Sequence, residues 1–136
     1  MNQDKSIKIG VSGLFINDSH ILLIQRAHAP FRKSWSLPGG KVEYGETVRH
    51  AFQREMQEEV GLLVAGDEPI FTEQIFPGGH FIIFTFVVYL ETVNVVCGSD
   101  ADAYCWLQRE ELSSLPTTPG LPHYIEYVLE HATSHK

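Results

Sequence analysis

The sequence lacks the cysteines of a disulfide scaffold and the long apolar runs of a membrane protein. Its two cysteines, Cys97 and Cys105, are too few for a disulfide framework or a cysteine-based zinc site. We expect both to be free thiols in a reducing compartment. The longest nearly apolar stretch, residues 81–90, is about half of the ~20 residues that a membrane helix requires. A membrane partner is therefore not expected.

Basic residues are also scarce, because 10 Lys and Arg stand against 17 Asp and Glu and leave a net charge of −7. This balance argues against a general nucleic-acid surface, which needs a basic patch. It is compatible with a phosphate-bearing substrate, because a divalent cation can bridge two sets of anions. Residues 1–8 are polar and charged and lack the apolar core of a targeting segment. We expect a soluble cytoplasmic protein.

The length and composition are those of one globular domain. Of the 136 residues, 43% are hydrophobic and 20% are charged. The chain contains no internal repeat, low-complexity tract or linker. We therefore expect a single domain over residues 1–136.

Apolar periodicity and turn residues predict several strands and two helices in an irregular order. Strands are predicted at residues 7–16, 21–25, 70–76, 80–93 and 103–107, and helices at 47–60 and 122–131. The pattern leaves residues 110–115 unassigned. This order predicts an α/β (α+β) fold, a mixed sheet with helices on its faces.

The segment Trp35-Ser36-Leu37-Pro38-Gly39-Gly40 indicates an unusual backbone feature rather than a plain strand. Pro38 removes a backbone donor, and the paired glycines permit conformations that other residues avoid. This segment comes shortly before the predicted helix at residues 47–60.

That helix carries an acidic face beside its apolar stripe. At ~100° per residue, Glu55, Glu58 and Glu59 project to the same side. Like charges at i,i+3 and i,i+4 spacing repel each other, so the cluster needs neutralisation. Arg54 can pair with only some of these carboxylates, whereas a hard divalent cation can accept several oxygen ligands. On the helix alone, a solvated acidic face remains the alternative.

The residues around the helix form a longer motif. It runs Gly40-x5-Glu46-x7-Arg54-Glu55-Met56-x-Glu58-Glu59-x-Gly61-Leu62. Such a match is expected by chance on the order of once in 10⁹–10¹⁰ windows. On this motif and the preceding Trp35-x-Leu37-Pro38-Gly39, the chain resembles the Nudix hydrolase family, with residues 40–62 as the Nudix box.

The resemblance implies an α/β/α sandwich around a mixed β-sheet, with the box forming a loop, a helix and a second loop. It also implies hydrolysis, dependent on Mg²⁺ or Mn²⁺, of a nucleoside diphosphate linked to another group. The sequences that flank the box are similar to both the ADP-ribose pyrophosphatase-like and the MutT-like branches. Pro77, fifteen residues after Leu62, is a weak hint of an ADP-ribose enzyme.

The same resemblance implies the metal ligands. Glu55, Glu58 and Glu59 match the carboxylates of the family's metal site, with Glu58 and Glu59 as the firmer ligands. Glu55 is implied as a ligand or, in some members, as the catalytic base. A main-chain carbonyl of Gly39 or Gly40 is implied as a further ligand.

Two more box residues take catalytic roles by resemblance. Arg54 matches the arginine that orients a catalytic glutamate through an ion pair. Glu46 matches the glutamate that supports the loop or a metal-bound water. Gly61 is expected to be structural, as a C-terminal helix cap.

Residues outside the box are expected to select the substrate. Four residues are candidates for contacting phosphate. Arg26 lies at the end of a predicted strand, and the following loop contains His28, Arg32 and Lys33. Ordinary surface charge is the alternative for each. Candidates for stacking on a base or ribose are Phe76, His80, Phe81, Phe84 and Phe86, although strand alternation puts about half of them in the core.

An additional carboxylate outside the box is a feature of many members of the family, as base or metal ligand. Asp100 and Asp102, just before the predicted strand at 103–107, are the candidates here, and Glu73 and Glu91 are weaker ones. An ordinary acidic residue in a loop or at a strand edge is the alternative.

We expect a metal-dependent pyrophosphohydrolase of small nucleotides, with ADP-ribose or a nucleoside diphosphate sugar favoured. The alternative substrate is a nucleoside triphosphate, normal or oxidised. A non-catalytic module that senses a nucleotide is the second class, and an intact box disfavours it. Hydrolysis of capped RNA is disfavoured by the acidic charge. A homodimer is possible, but no sequence feature defines an interface for it.

Overall fold

The computed structural model describes residues 6–27, 32–76, 79–91 and 101–132. The elements follow the irregular order that the sequence predicts. In chain order they are β1 (Lys8–Asn17), β2 (His20–Arg26), β3 (Trp35–Ser36), β4 (Gly39–Lys41), α1 (Val48–Val60), β5 (Ile70–Phe76), β6 (Gly79–Tyr89), β7 (Ala101–Gln108), a 3₁₀ helix (Arg109–Ser114) and α2 (Leu121–Ala132).

The strands form one mixed sheet. Its main path is β3-β2-β1-β6-β5, while β7 pairs with β2 and β4 pairs with β1. The β1–β6 pair is parallel, from Lys8–Phe81 to Ile16–Tyr89, and the other pairs are antiparallel. The predicted mixed sheet is confirmed.

The two helices cover opposite faces of this sheet, and a hydrophobic cluster lies under each. On one face, Phe52 and Met56 of α1 are fully buried against Phe15 and Phe86. On the other face, Ile125 and Val128 of α2 are fully buried in a cluster with Leu14, Leu23 and Leu107. The α/β/α sandwich is confirmed. In the described part of the chain, neither helix has the length and apolar character needed to span a membrane.

Several element boundaries follow directly from local chemistry. Asp18 and Ser19 form the turn between β1 and β2, and both have positive φ, 50° and 71°. A two-residue turn of this kind matches the twist of the strands that it joins.

Strand β6 ends at Tyr89, earlier than the predicted end at residue 93. Tyr89 pairs with Ile16, and β1 itself ends one residue later, so β6 has no further partner in β1. Residues 92–93 lie outside the described part.

The unusual segment at 35–40 forms two short strands that fill an opening in the sheet. β1 and β2 pair next to their turn, at Ile16–Ile21, and then separate. β3 pairs with β2, while β4 pairs with β1. Between them, the carbonyl of Pro38 accepts a 2.9 Å hydrogen bond from the N–H of Gly13. The pairing of this segment with both strands brings Gly39 and Gly40 beside α1.

Candidate active site

Helix α1 is fixed at both ends, which sets the direction of its acidic face. The Thr47 hydroxyl accepts a 3.1 Å hydrogen bond from the N–H of His50, as an N-cap does. Gly61 takes the left-handed conformation at φ 71°, which confirms the predicted C-terminal cap. With the apolar stripe buried, the carboxylates turn toward β4 and the loop that follows it.

Arg54 joins the acidic residues of the box into one network. Its Nε and Nη2 bind the two oxygens of Glu46 at 2.7 and 2.9 Å. Nη2 also donates to the carbonyl of Lys41 at 3.0 Å. Nη1 donates to Glu55 at 3.0 Å and to Glu58 at 3.4 Å. All five donors of the guanidinium group therefore have acceptors.

The network keeps both central groups charged. Hydrogen bonds from Arg54 and from the N–H of Glu43 lower the pKa of Glu46 from 4.5 to about 2, despite an opposing effect of burial. The same contact with Glu46 raises the pKa of Arg54 above its usual value. A bidentate pair of this kind also fixes geometry, because both groups are planar.

Gly39 and Gly40 hold two of the box carboxylates from the opposite side. The N–H of Gly39 donates a 2.6 Å hydrogen bond to Oε1 of Glu59, whose side chain is buried. The α-carbon of Gly40 lies against the carboxylate of Glu55, which a Cβ at this position would overlap. A Cβ on Gly39 would overlap the carbonyl oxygen of Val11, so both glycines are set by close contacts rather than by positive φ.

The oxygen donors of this site fit a hard divalent cation. Carboxylates and main-chain carbonyls are the ligands that Mg²⁺ and Mn²⁺ prefer. Within the described part of the chain, no three acidic, histidine or cysteine side chains gather around one point. The reason is visible in the contacts, because Arg54 holds Glu55 and Glu58 while Gly39 holds Glu59. The predicted metal ligands thus line one surface, and their role as ligands stays a prediction.

A cleft of about 500 Å³ opens beside these residues, between the sheet and the start of α2. Its lining includes Gly39, Gly40, Glu59, Arg26, Phe81 and Tyr124. One wall is the segment before α2, which is anchored to β3 because the N–H of Thr118 donates to the carbonyl of Trp35 at 3.0 Å. The acidic face of the box therefore borders a space of ligand size.

The structure separates the candidates for substrate binding. Arg26 and Phe81 line the cleft. Arg32 instead donates to the carbonyl of Ala27 at 3.2 Å, on the surface. His80 contacts Glu73 at 2.6 Å in the β5–β6 hairpin. Neither Arg32 nor His80 is among the residues that line the cleft.

The remaining aromatic and loop candidates divide in the same way. Phe86 stacks on Phe52 with ring centroids 4.2 Å apart, and Phe84 packs against the same hydrophobic cluster. Both therefore belong to the core. His28 and the side chain of Phe76 lie outside the described part of the chain.

The candidates for an additional carboxylate lie at the start of β7. Asp100 is outside the described residues, and for Asp102 only the backbone is described. β7 pairs with β2 at Gln25–Ala103 and Arg26–Ala101, so the register shifts there and leaves Asp102 as the extra residue of a bulge. Bulges of this kind are common next to active sites. A role for either aspartate stays a prediction.

Sequence reasoning missed a chain of hydroxyl groups at the cleft. Ser12 and Thr85, on neighbouring strands, are joined by a 2.8 Å hydrogen bond, and Thr85 also bonds to the phenol of Tyr124. Burial raises the pKa of that phenol. Ser12 and Tyr124 line the cleft. The signal available in the sequence was one polar residue, Ser12 or Thr85, inside each of two apolar strands.

Comparisons with known proteins identify the family of this chain. A family model described as the NUDIX domain matches residues 7–128. The ADP-ribose pyrophosphatase of Methanocaldococcus jannaschii is 38% identical over 96 residues, which cover 68% of this chain and 57% of that protein. The 8-oxo-dGTP diphosphatase of Haemophilus influenzae is 30% identical over 128 residues, which cover 93% of this chain and 94% of that protein. The chain thus spans just over half of the first relative.

A solved structure shows the same fold. It is the bifunctional NMN adenylyltransferase/ADP ribose pyrophosphatase of Francisella tularensis, complexed with AMP and a Mn ion. The TM-score is 0.82 at 22% identity, and the match covers 93% of this chain and 42% of that chain. At this identity the likeness concerns the fold alone.

Proposed function

The chain belongs to the Nudix hydrolase family, and from this premise we propose that it hydrolyses the pyrophosphate linkage of a nucleoside diphosphate joined to a second group. ADP-ribose and nucleoside diphosphate sugars are the substrates that we favour. The observation that carries the proposal is the intact network around Arg54 at the edge of a cleft. The cleft, at about 500 Å³, is in the usual range for a ligand of this size.

The box residues would hold the divalent ion that this reaction needs. Glu55, Glu58 and Glu59 offer carboxylate oxygens, and Gly39 or Gly40 offers a carbonyl. When bound, Mg²⁺ or Mn²⁺ neutralises phosphate oxygens and lowers the pKa of a coordinated water. Arg26, in the same cleft, supplies a positive charge for a second phosphate oxygen.

The reaction exchanges one phosphorus–oxygen bond for another. The oxygen of a water molecule bonds to one phosphorus, and the bond from that phosphorus to the bridging oxygen breaks. The bridging oxygen leaves with the other phosphate, one proton of the water passes to a carboxylate, and the second proton stays on the newly bonded oxygen. Glu55 is the base that we favour among the described residues, because Arg54 donates a hydrogen bond to it and holds it in place. Asp100 and Asp102 are the alternatives.

A nucleoside triphosphate is the second candidate substrate. The observation that favours it is the similarity to an 8-oxo-dGTP diphosphatase over nearly the whole length of both chains. The two candidates differ in products. A sugar-linked substrate gives a nucleoside monophosphate and a sugar phosphate, whereas a triphosphate gives a monophosphate and pyrophosphate.

A product assay on a nucleotide panel, with and without Mg²⁺ or Mn²⁺, tests the proposal. ADP-ribose, nucleotide sugars, and normal and oxidised triphosphates make up the panel. We expect metal-dependent cleavage that Glu58→Gln nearly abolishes, while Glu110→Gln, at an exposed glutamate of the 3₁₀ helix, leaves it unchanged. If the folded protein binds a nucleotide but cleaves none, a sensing module replaces the enzyme as the better interpretation.

A further inference from the structure

A second cavity of about 610 Å³ lies between β5 and α2. The side chains that give it a chemical character are those of Thr72, Gln74, His123, Tyr124 and Tyr127. Tyr127 is large and exposed, with 39% of its surface accessible. Apolar rings with a few polar groups between them are typical of a ligand site.

This second cavity adjoins the first cleft. Gln74, Pro119 and Tyr124 line both spaces, so only one layer of side chains separates them. Gln74 comes from β5 and the other two residues from the start of α2 and the turn before it. The second cavity is therefore a continuation of the cleft that the box borders.

The polar groups of the second cavity suit hydroxyl groups better than phosphate. Among the described residues that line it, none is a lysine or arginine, whereas Thr72, Gln74 and Tyr124 offer neutral donors and acceptors. The carboxylate of Glu73 contacts His80 on the face of β5 that points away from α2. Thr72 lies close enough to Tyr124 to oppose the effect of burial on the pKa of that phenol. Yet its buried Oγ1 has no hydrogen bond of ordinary geometry within the described part of the chain.

We propose that the second cavity binds the sugar ring attached to the far phosphate of the substrate. The inference rests on the proposed function and deepens it, because it names the part of the substrate that the cavity selects. The ring would lie against Tyr127, with its hydroxyl groups near Gln74 and His123. A nucleoside triphosphate carries no sugar on its far phosphate, so it leaves this subsite empty and gains nothing from it.

Kinetics of two variants on two substrates test this subsite. Tyr127→Ala and His123→Ala should each lower kcat/KM for ADP-ribose about tenfold, mainly through KM, and leave kcat/KM for ATP unchanged. Tyr104→Ala is the matched control, because Tyr104 is similarly exposed, at 43%, and lines neither space. It should leave both substrates unaffected.

The remaining outcomes separate this inference from the proposed function. If the wild type cleaves no member of the nucleotide panel, the proposed function fails and the subsite fails with it. If it cleaves ADP-ribose and the variants match the wild type, the subsite alone is wrong. An equal loss on both substrates, in His123→Ala as well as Tyr127→Ala, also overturns it. A wild type that cleaves ATP but does not cleave ADP-ribose overturns the subsite as well.

Discussion

Arg54 determines the geometry of the box more than any single carboxylate does. Its planar fork binds both oxygens of Glu46 and at the same time reaches Glu55 and Glu58. A lysine carries the same charge but cannot make this arrangement, since its donors diverge from one nitrogen. Charge alone therefore does not explain the residue at this position.

We predict that Arg54→Lys lowers kcat by about 10²-fold or more, because Glu55 loses the contact that orients it. Steady-state kinetics with saturating Mg²⁺ measure this. The same substitution at Arg109, which pairs with Glu126 on the surface, is the control and should leave kcat unchanged. A kcat of Arg54→Lys close to that of the wild type would mean that only the charge matters.

Glu46 makes the stability of the protein depend on pH in a defined window. Its pKa falls from 4.5 to about 2 on folding, chiefly through Arg54. A lowered pKa in the folded state stabilises it above pH 4.5, and this contribution is lost as the pH falls toward 2. The difference in free energy of unfolding between wild type and Glu46→Gln should therefore shrink from pH 6 to pH 3 in urea titrations. A difference that stays constant would contradict the ion pair.

At the scale of elements, the two adjacent glycines of β4 have different roles. A Cβ on Gly39 would overlap the carbonyl oxygen of Val11 in β1, which is rigid backbone. The three atoms nearest to a Cβ on Gly40 all belong to the carboxylate of Glu55, which is the end of a flexible side chain. The strand pairing thus depends on the first glycine and the carboxylate position on the second.

We predict that Gly39→Ala and Gly40→Ala separate stability from activity. Gly39→Ala should lower Tm by several degrees, because β4 must move away from β1. Gly40→Ala should keep Tm within about 2 °C of the wild type and lose most of kcat, because Glu55 is displaced. Thermal unfolding and kinetics of both variants check this, and equal losses of Tm would refute the distinction.

The elements also show how far the sequence alone can lead. Helix α1 and its C-terminal cap were predictable, because Phe52 and Met56 repeat with the period of a helix and Gly61 ends it. Strands β3 and β4 were not, because two or three residues carry no periodicity. The opening that they fill depends on the separation of β1 from β2, which is a long-range feature of the sheet.

At the scale of the whole molecule, the cleft is built from both faces of the sheet. The box carboxylates come from α1 on one face, whereas Tyr124 comes from α2 on the other face. The box could be identified from local spacing. The cleft could not, because Ser12, Thr85 and Tyr124 are distant in sequence and meet only when both helices pack on the sheet.

If the box carboxylates hold a divalent cation, as we propose, a chain with a net charge of −7 should gain stability from that ion. An ion that binds only the folded state adds about 2.7 kcal/mol at 100 times its Kd. For a chain of this size, that corresponds to a rise in Tm of roughly 10 °C. We therefore expect Mg²⁺ or Mn²⁺ to raise Tm and a chelator to reverse the change.

The variant that tests the site of this effect is Glu59→Gln. Glu59 is buried at the cleft, so its loss should remove most of the metal-dependent rise in Tm. Glu126→Gln, on the outer side of α2, removes the same charge at a distance and should retain the full rise. If both variants keep the rise, the ion binds elsewhere on the acidic surface, and the assignment of the box carboxylates as ligands is wrong.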